Sequence, residues 1–306
     1  MPSKRIHKNF DLLSNFDYFI PDIKGIIGLA VWFIVGALLG SVVTVIITAL
    51  LDDAEAAMTY SMVVSYPIMF IPPMMYASLK SRENSFFGKG LKLSNSHYNP
   101  LGGPVCVIMV MLATLAAAFI AEGIGSFLPD VPAWLEEVLS SMTQGNIWID
   151  ILCVSIFAPF FEEWLCRGEV LRGLLNYEHK NKAGETVHGI KPVWAIVISA
   201  AFFAIIHGNP WQAVPAFTLG CLFGYVYYKT GSLKLTMLMH CTNNTFAVIM
   251  SNLDCMKDAD GWMDVMKPAD YGVVMLLCVA FILLFIYKFN DIKPQRPQGN
   301  CDEVGA

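Results

Sequence analysis

A chain of 306 residues that is 56% hydrophobic and 15% charged carries too few charges for a soluble domain, in which about a quarter of residues are charged. With a mean hydropathy of +0.54 it reads as an integral membrane protein, and its net charge of -5 says little about partners because charge in such a chain collects in loops. The basic residues are scattered over one set of loops instead of clustered on a face, which excludes a nucleic-acid-binding class. Of the 8 cysteines, Cys106, Cys153, Cys166, Cys221, Cys241 and Cys278 fall in apolar runs, where cysteine behaves as a small hydrophobe; this argues against a disulfide framework, and no pair has zinc-knuckle spacing.

The polar N-terminal segment 1–25 has no short apolar core followed by a small-residue cleavage site, so no cleavable signal peptide is expected and the first span serves as signal anchor. Crossing a bilayer takes roughly 20 apolar residues. Eight runs qualify, near 26–51, 57–79, 103–128, 147–177, 192–208, 212–228, 234–253 and 270–288. The fold expected is all-α and polytopic, with accessory helices over 26–145, a core over 146–255, a last helix within 256–290 and a polar, disordered tail over 291–306. Gly208-Asn209-Pro210-Trp211 predicts a sharp turn that makes the fifth and sixth spans a helical hairpin. Residues 81–102, with Phe86-Phe87 and several Gly, Ser and Asn, read as an interfacial connector.

Loop charges alternate. Lys4, Arg5, Lys8 and Lys24, then Lys80, Arg82, Lys89 and Lys92, then Lys180, Lys182 and Lys191, then Lys229 and Lys234, and finally Lys288, Lys293 and Arg296 fall on one side. The other side is acidic, with Asp52, Asp53, Glu55, Asp130, Glu136, Glu137, Asp254, Asp258, Asp260 and Asp264 against only Lys257 and Lys267. Positive-inside bias therefore predicts eight spans with both termini cytoplasmic, in what looks like a bacterial plasma membrane.

Polar residues inside spans carry the chemistry. Glu162, Glu163 and Arg167 interrupt an apolar helix, where each charge costs about 2.5–3.5 kcal/mol. Glu163 and Arg167, four apart, can neutralise each other as a structural pair. Glu162 points about 100° away and has no local partner of opposite sign, which makes it a candidate for function. Four histidines, His7, His97, His179 and His188, lie in polar loops; His207 and His240 lie in spans. His240 and Asn244 share one helix face, while Asn243 sits a step round. A lone intramembrane histidine or amide is often only a helix-to-helix hydrogen-bond donor; two imidazoles, an acid and an amide together point to a site.

Amide hydrolysis would use such a set in a dry cavity. Glu162 and His207 suit water activation, and His240 and Asn244 suit oxyanion stabilisation. A rival arrangement makes Glu162, His207 and His240 ligands of Zn2+, although no His-Glu-x-x-His run is present. A proton-coupled transporter with a Glu162–His207 relay, or a non-catalytic immunity or scaffold protein, are alternatives from other classes; no repeat symmetry of the transporter kind is visible. Pro159 predicts a kink, and Gly220 and Gly224 predict a close helix approach.

Glu162-Glu163-x-x-x-Arg167, Phe203-x-x-x-His207 and His240-x-x-x-Asn244, in that order on successive spans, resemble the three motifs of the CPBP family, the CAAX-prenyl-protease-type and bacteriocin-processing (Abi) intramembrane proteases. Thr230-Gly231-Ser232-Leu233 and the sixth-span glycines also resemble the family pattern, over about residues 150–250. The resemblance implies eight transmembrane helices enclosing an intramembrane catalytic cavity open toward the cytoplasm, with a membrane-associated protein or peptide as substrate. It further implies that Glu162 and His207 activate water, that His240 and Asn244 stabilise the oxyanion, and that Glu163 and Arg167 shape the site. Cys166 departs from the bulky apolar residue usual before the Arg-Gly pair. Family members are described both as metalloproteases and as glutamate-dependent enzymes, which leaves the cofactor open.

Overall fold

The computed structural model describes residues 12–294, except 87, 89, 144, 145, 257, 258 and 260. Lys4, Arg5, His7 and Lys8, the loop residues Lys89, Lys257, Asp258 and Asp260, and the tail from 295 with Arg296 lie outside the described residues. A 3-10 turn at Leu12–Phe16 leads into α1 (Ile23–Leu50), whose first turn is capped by the Asp22 carboxylate accepting from the Gly25 N–H at 2.8 Å. α2 (Ala54–Asn84) returns antiparallel to α1. Then come α3 (Gly103–Gly125), the short α4 (Ala133–Thr143) and a continuous helical rod over 147–176, here α5. The last half of the chain holds α6 (Pro192–Ile205), α7 (Pro210–Thr230), α8 (Leu233–Ser251), a single turn α9 (Trp262–Val265) and α10 (Pro268–Phe289).

The eight long helices fall on the eight expected runs. By length and composition, four of them can cross a membrane: Ile23–Leu50, Ala56–Asn84, Gly103–Gly125 and Pro268–Phe289. α6 is apolar but only 14 residues long, roughly 21 Å against a hydrocarbon core of about 30 Å. The spanning helices turn Ile27, Val31, Leu38, Val45, Leu276 and Leu283 outward, an apolar exterior that suits hydrocarbon and not water. The protein is an integral membrane protein.

The all-α expectation needs one correction. Glu178–Lys180 and Thr186–His188 form a two-stranded antiparallel ribbon, β1 and β2, in which Glu178 faces His188 and Lys180 faces Thr186. The turn between them, which carries Asn181 and Gly184, closes a short hairpin in what reads by composition as a polar loop, so His179 and His188 sit on strands.

α5 is the axis of the molecule. Its residues from Glu163 to Leu174 are all buried, with α1, α2, α6 and the start of α8 packed on one apolar cluster around Phe33, Phe70, Trp164, Leu171 and Leu233. A second cluster, built on Val110, Leu222, Phe223, Met239 and Phe285, joins α3, α7, α8 and α10. The candidate site lies where these two clusters meet. At the 176 end of α5, buried Arg172 gathers chain that is remote in sequence: its guanidinium donates to the Leu91 carbonyl at 2.6 Å and to the Phe16 carbonyl at 3.2 Å, while on its own helix it donates to the Gly168 carbonyl at 2.6 Å and stands 3.2 Å from Glu169. The 85–102 connector is tied down in the same region, where the Asn95 N–H reaches the Gly231 carbonyl at 2.8 Å. Gly231, at φ 62°, ends α7 in the left-handed region, and Ser232 caps α8 by accepting from the Leu235 N–H.

Candidate functional site

The rod α5 is not a uniform α-helix. α-Helical turns at Ile147–Asp150, Ala158–Glu163 and Arg172–Asn176 alternate with wider π-helical stretches at Ile151–Phe157 and Trp164–Leu171. Pro159 explains the first: it has no N–H to give, and the helix widens before it. The Ala158 N–H goes back to the Cys153 carbonyl, so the Val154 carbonyl loses both donors that its own helix would supply. Asn244 fills that vacancy from α8, its Nδ2 donating to Val154 O at 2.7 Å. Beside the kink expected of it, Pro159 leaves a carbonyl without a donor from its own helix, and that carbonyl fixes the amide of Asn244.

Glu162 and Glu163 leave α5 in different directions and meet different surroundings. Glu163 is fully buried. Its Oε1 accepts from Arg167 Nη1 at 2.7 Å and from His240 Nδ1 at 3.1 Å. Arg167, also fully buried, donates through Nη2 to the Gly220 carbonyl at 3.0 Å and lies between the rings of Phe203 and Phe223, 4.6 and 5.3 Å from their centroids. Gly220 permits this: a Cβ there would stand 3.2 Å from Nη2 and 3.1 Å from the Ala200 Cβ. The close approach expected of Gly220 and Gly224 is thus between α7 and α6, with Gly224 against Ile196.

Glu162 faces a cavity of about 390 Å³. Its Oε1 accepts from the hydroxyl of Tyr66, and its Oε2 is buried with no hydrogen-bond partner, 3.8 Å from His240 Nε2. The partners that Glu162 lacks along its own helix come from other helices, the Tyr66 phenol of α2 and the His240 imidazole of α8. His207 lies beyond the last turn of α6, and its Nδ1 donates to the Phe203 carbonyl at 2.7 Å. Gly208, at φ 71°, then turns the chain toward α7. Placed just past the end of α6, His207 lines the same cavity as Glu162, His240, Asn243 and Asn244. Asn243 donates to Asn244 Oδ1 at 3.0 Å. Phe33, Met62, Met69, Leu219 and Phe223 supply much of the apolar wall.

Of the six residues singled out by sequence, four line the cavity and two, Glu163 and Arg167, stand directly behind it. Sequence reasoning missed Tyr66, the Val154 carbonyl and the Phe203–Phe223 clamp. Nothing in the chain distinguishes Tyr66 from Tyr60 or Tyr76, and a freed carbonyl leaves only the proline as its signal.

Both site imidazoles have Nδ1 tied to an oxygen and Nε2 turned free, an orientation that suits metal ligation as well as proton transfer. Among the described residues, however, no three His, Cys, Asp or Glu side chains converge as metal ligands do, so Glu162, His207 and His240 are not closed into a zinc set in this conformation.

Two comparisons with known proteins match the middle of the chain. The model of the Type II CAAX prenyl endopeptidase Rce1-like family matches residues 144–246, the stretch that contains all six residues. The membrane-embedded CAAX protease MroQ of Staphylococcus aureus (strain USA300) is 29% identical over 110 residues, which is 36% of this chain and 42% of MroQ; the match thus spans less than half the length of that relative. No solved structure matches the chain. Residues 144–246 are thus similar to CAAX-protease-type membrane proteins, a likeness that covers little more than a third of the chain.

Proposed function

We propose that the protein is an intramembrane endopeptidase that hydrolyses a peptide bond of a membrane-associated protein or peptide with a water activated by Glu162 and His207. The observation that carries this reading is the line Glu162, His240, Glu163, Arg167, with Glu162 and His240 lining the same cavity as His207 and Asn244.

The roles follow from charge and donors. Two carboxylates face one guanidinium in this buried group, so one further proton, shared between Glu162 and His240, makes it neutral. A water held between Glu162 Oε2 and His207 Nε2 gives its proton to Glu162 as its oxygen attacks the scissile carbonyl. The carbonyl oxygen, now anionic, accepts from His240 Nε2–H and from the second N–H of Asn244, whose first N–H is spent on Val154. Glu163 holds His240 by Nδ1 and so keeps Nε2 aimed at the cavity, while Arg167 balances Glu163. Glu162 then returns the proton to the leaving amine, and the bond is broken with one water consumed.

The test compares purified wild type with Glu162→Gln on a library of membrane peptides in detergent, with bound zinc measured on the same preparations. Loss of a general base lowers the rate by about a hundredfold to ten-thousandfold. Full cleavage by a folded Glu162→Gln variant would sink the assignment. Stoichiometric zinc that disappears together with activity in His207 or His240 variants would instead make those residues metal ligands.

A further inference from the structure

Resting on that reading of the site, we infer that Tyr66, which lies on α2 outside the matched core, is a positioning residue that fixes Glu162 for water activation. Its hydroxyl donates to Glu162 Oε1 across 96 residues of sequence. With Oε1 occupied, Oε2 is the atom left to receive a proton, and it is the one that faces His240 Nε2 at 3.8 Å and has no partner of its own.

The surroundings of Tyr66 are built to hold it there. Its ring packs on Phe70 with centroids 5.6 Å apart, and Phe70 stacks at 5.1 Å on Phe161, the residue that precedes Glu162. From the other side, α1 approaches α2 through Gly36 and Gly40, which bracket Tyr66: a Cβ on Gly36 would fall 1.9 Å from the Met69 carbonyl oxygen, and one on Gly40 would fall 3.1 Å from that of Ser65. The Thr44 and Ser65 hydroxyls, 2.9 Å apart, pin the same stretch. The α1–α2 hairpin therefore completes a site whose other polar groups all come from the 144–246 core.

A hydrogen bond to a charged group is strong enough that its loss shows clearly. Tyr66→Phe keeps the ring, the stacking on Phe70 and the cavity wall, and removes only the hydroxyl. With kcat and KM measured separately on one membrane peptide, the expected result is a kcat lower by about tenfold to a hundredfold, with KM within about twofold of wild type in a protein that still unfolds cooperatively. In the Glu162→Gln background the same change should add little, because its effect passes through Glu162. A readout that needs no cleavage runs beside it: in infrared difference spectra against Glu162→Gln, the Glu162 carboxylate band should shift when the Tyr66 hydroxyl is removed. Wild-type kcat in Tyr66→Phe alongside an inactive Glu162→Gln would overturn the role of Tyr66 and leave the protease reading standing. A KM rise with kcat intact would reduce Tyr66 to a substrate wall. Should neither protein cleave anything, an unshifted carboxylate band would reject the inference and a shifted one would support it, whatever the fate of the protease reading.

Discussion

The two adjacent glutamates show how one residue step separates a structural charge from a chemical one. Glu163 and Arg167 have lost all water, and each is the main compensation of the other, so removing one charge strands the second. Glu163→Gln should therefore destabilise the protein by about 3–5 kcal/mol, seen as a lower midpoint in denaturant titration in detergent. Glu162→Gln should leave that midpoint almost unmoved, because Glu162 faces the cavity and makes its one hydrogen bond through an oxygen that the amide retains. Equal stability losses in the two variants would show that the assignment of one glutamate to structure and the other to chemistry is wrong. The Glu163–Arg167 pair was legible in the sequence because a spacing of four residues is local geometry. The partners of Glu162 were not, since Tyr66 and His240 come from other helices and no pattern within α5 encodes them.

At the scale of the element, apolar run length located all eight long helices, because burial in hydrocarbon or in the bundle asks the same of composition. The internal structure of α5 was less legible. A proline in a helix predicts a lost hydrogen bond, but whether the helix bends, widens or hands the free carbonyl to a neighbour depends on what the neighbour offers, here the amide of Asn244. Helix contacts through glycine are similarly half visible: Gly220 and Gly224 stand out by spacing, while their partner, α6, is known only from the fold. The α1–α2 contact gives the sharpest test at this scale. Gly36→Val must push α1 away from the Met69 carbonyl and so draw Tyr66 from Glu162. We expect a loss of stability of about 1–3 kcal/mol and a cleavage rate at least as low as that of Tyr66→Phe. Gly272 on α10, where an added Cβ meets nothing within 4 Å, provides the control: Gly272→Val should behave as wild type. Normal activity in Gly36→Val would mean that the hairpin does not hold the site together.

For the whole molecule, the loop charges make a claim about topology that its own cysteines can check. Four helices are long and apolar enough to cross; α5 and α8 carry the polar site residues, which lower their hydropathy, and α6 is short. If all eight cross, the loop that contains Cys255 and the acidic residues Asp254 and Asp264 lies outside the cell, and the tail with Cys301 lies inside. Cys255 is exposed, whereas Cys106, Cys153 and Cys166 are buried and Cys221, Cys241 and Cys278 sit within helices. A membrane-impermeant maleimide applied to intact cells should therefore label the protein once, at Cys255, and Cys255→Ser should abolish that signal; Cys301 should react only after permeabilisation. Because each span inverts the side of the next loop, an odd number of crossings between residues 255 and 301 is required for this pattern, and α10 is the helix that supplies it. Labelling of Cys301 without permeabilisation, with Cys255 silent, would invert the whole arrangement and place the basic loops outside. Labelling of both would remove α10 from the membrane and with it the count of eight.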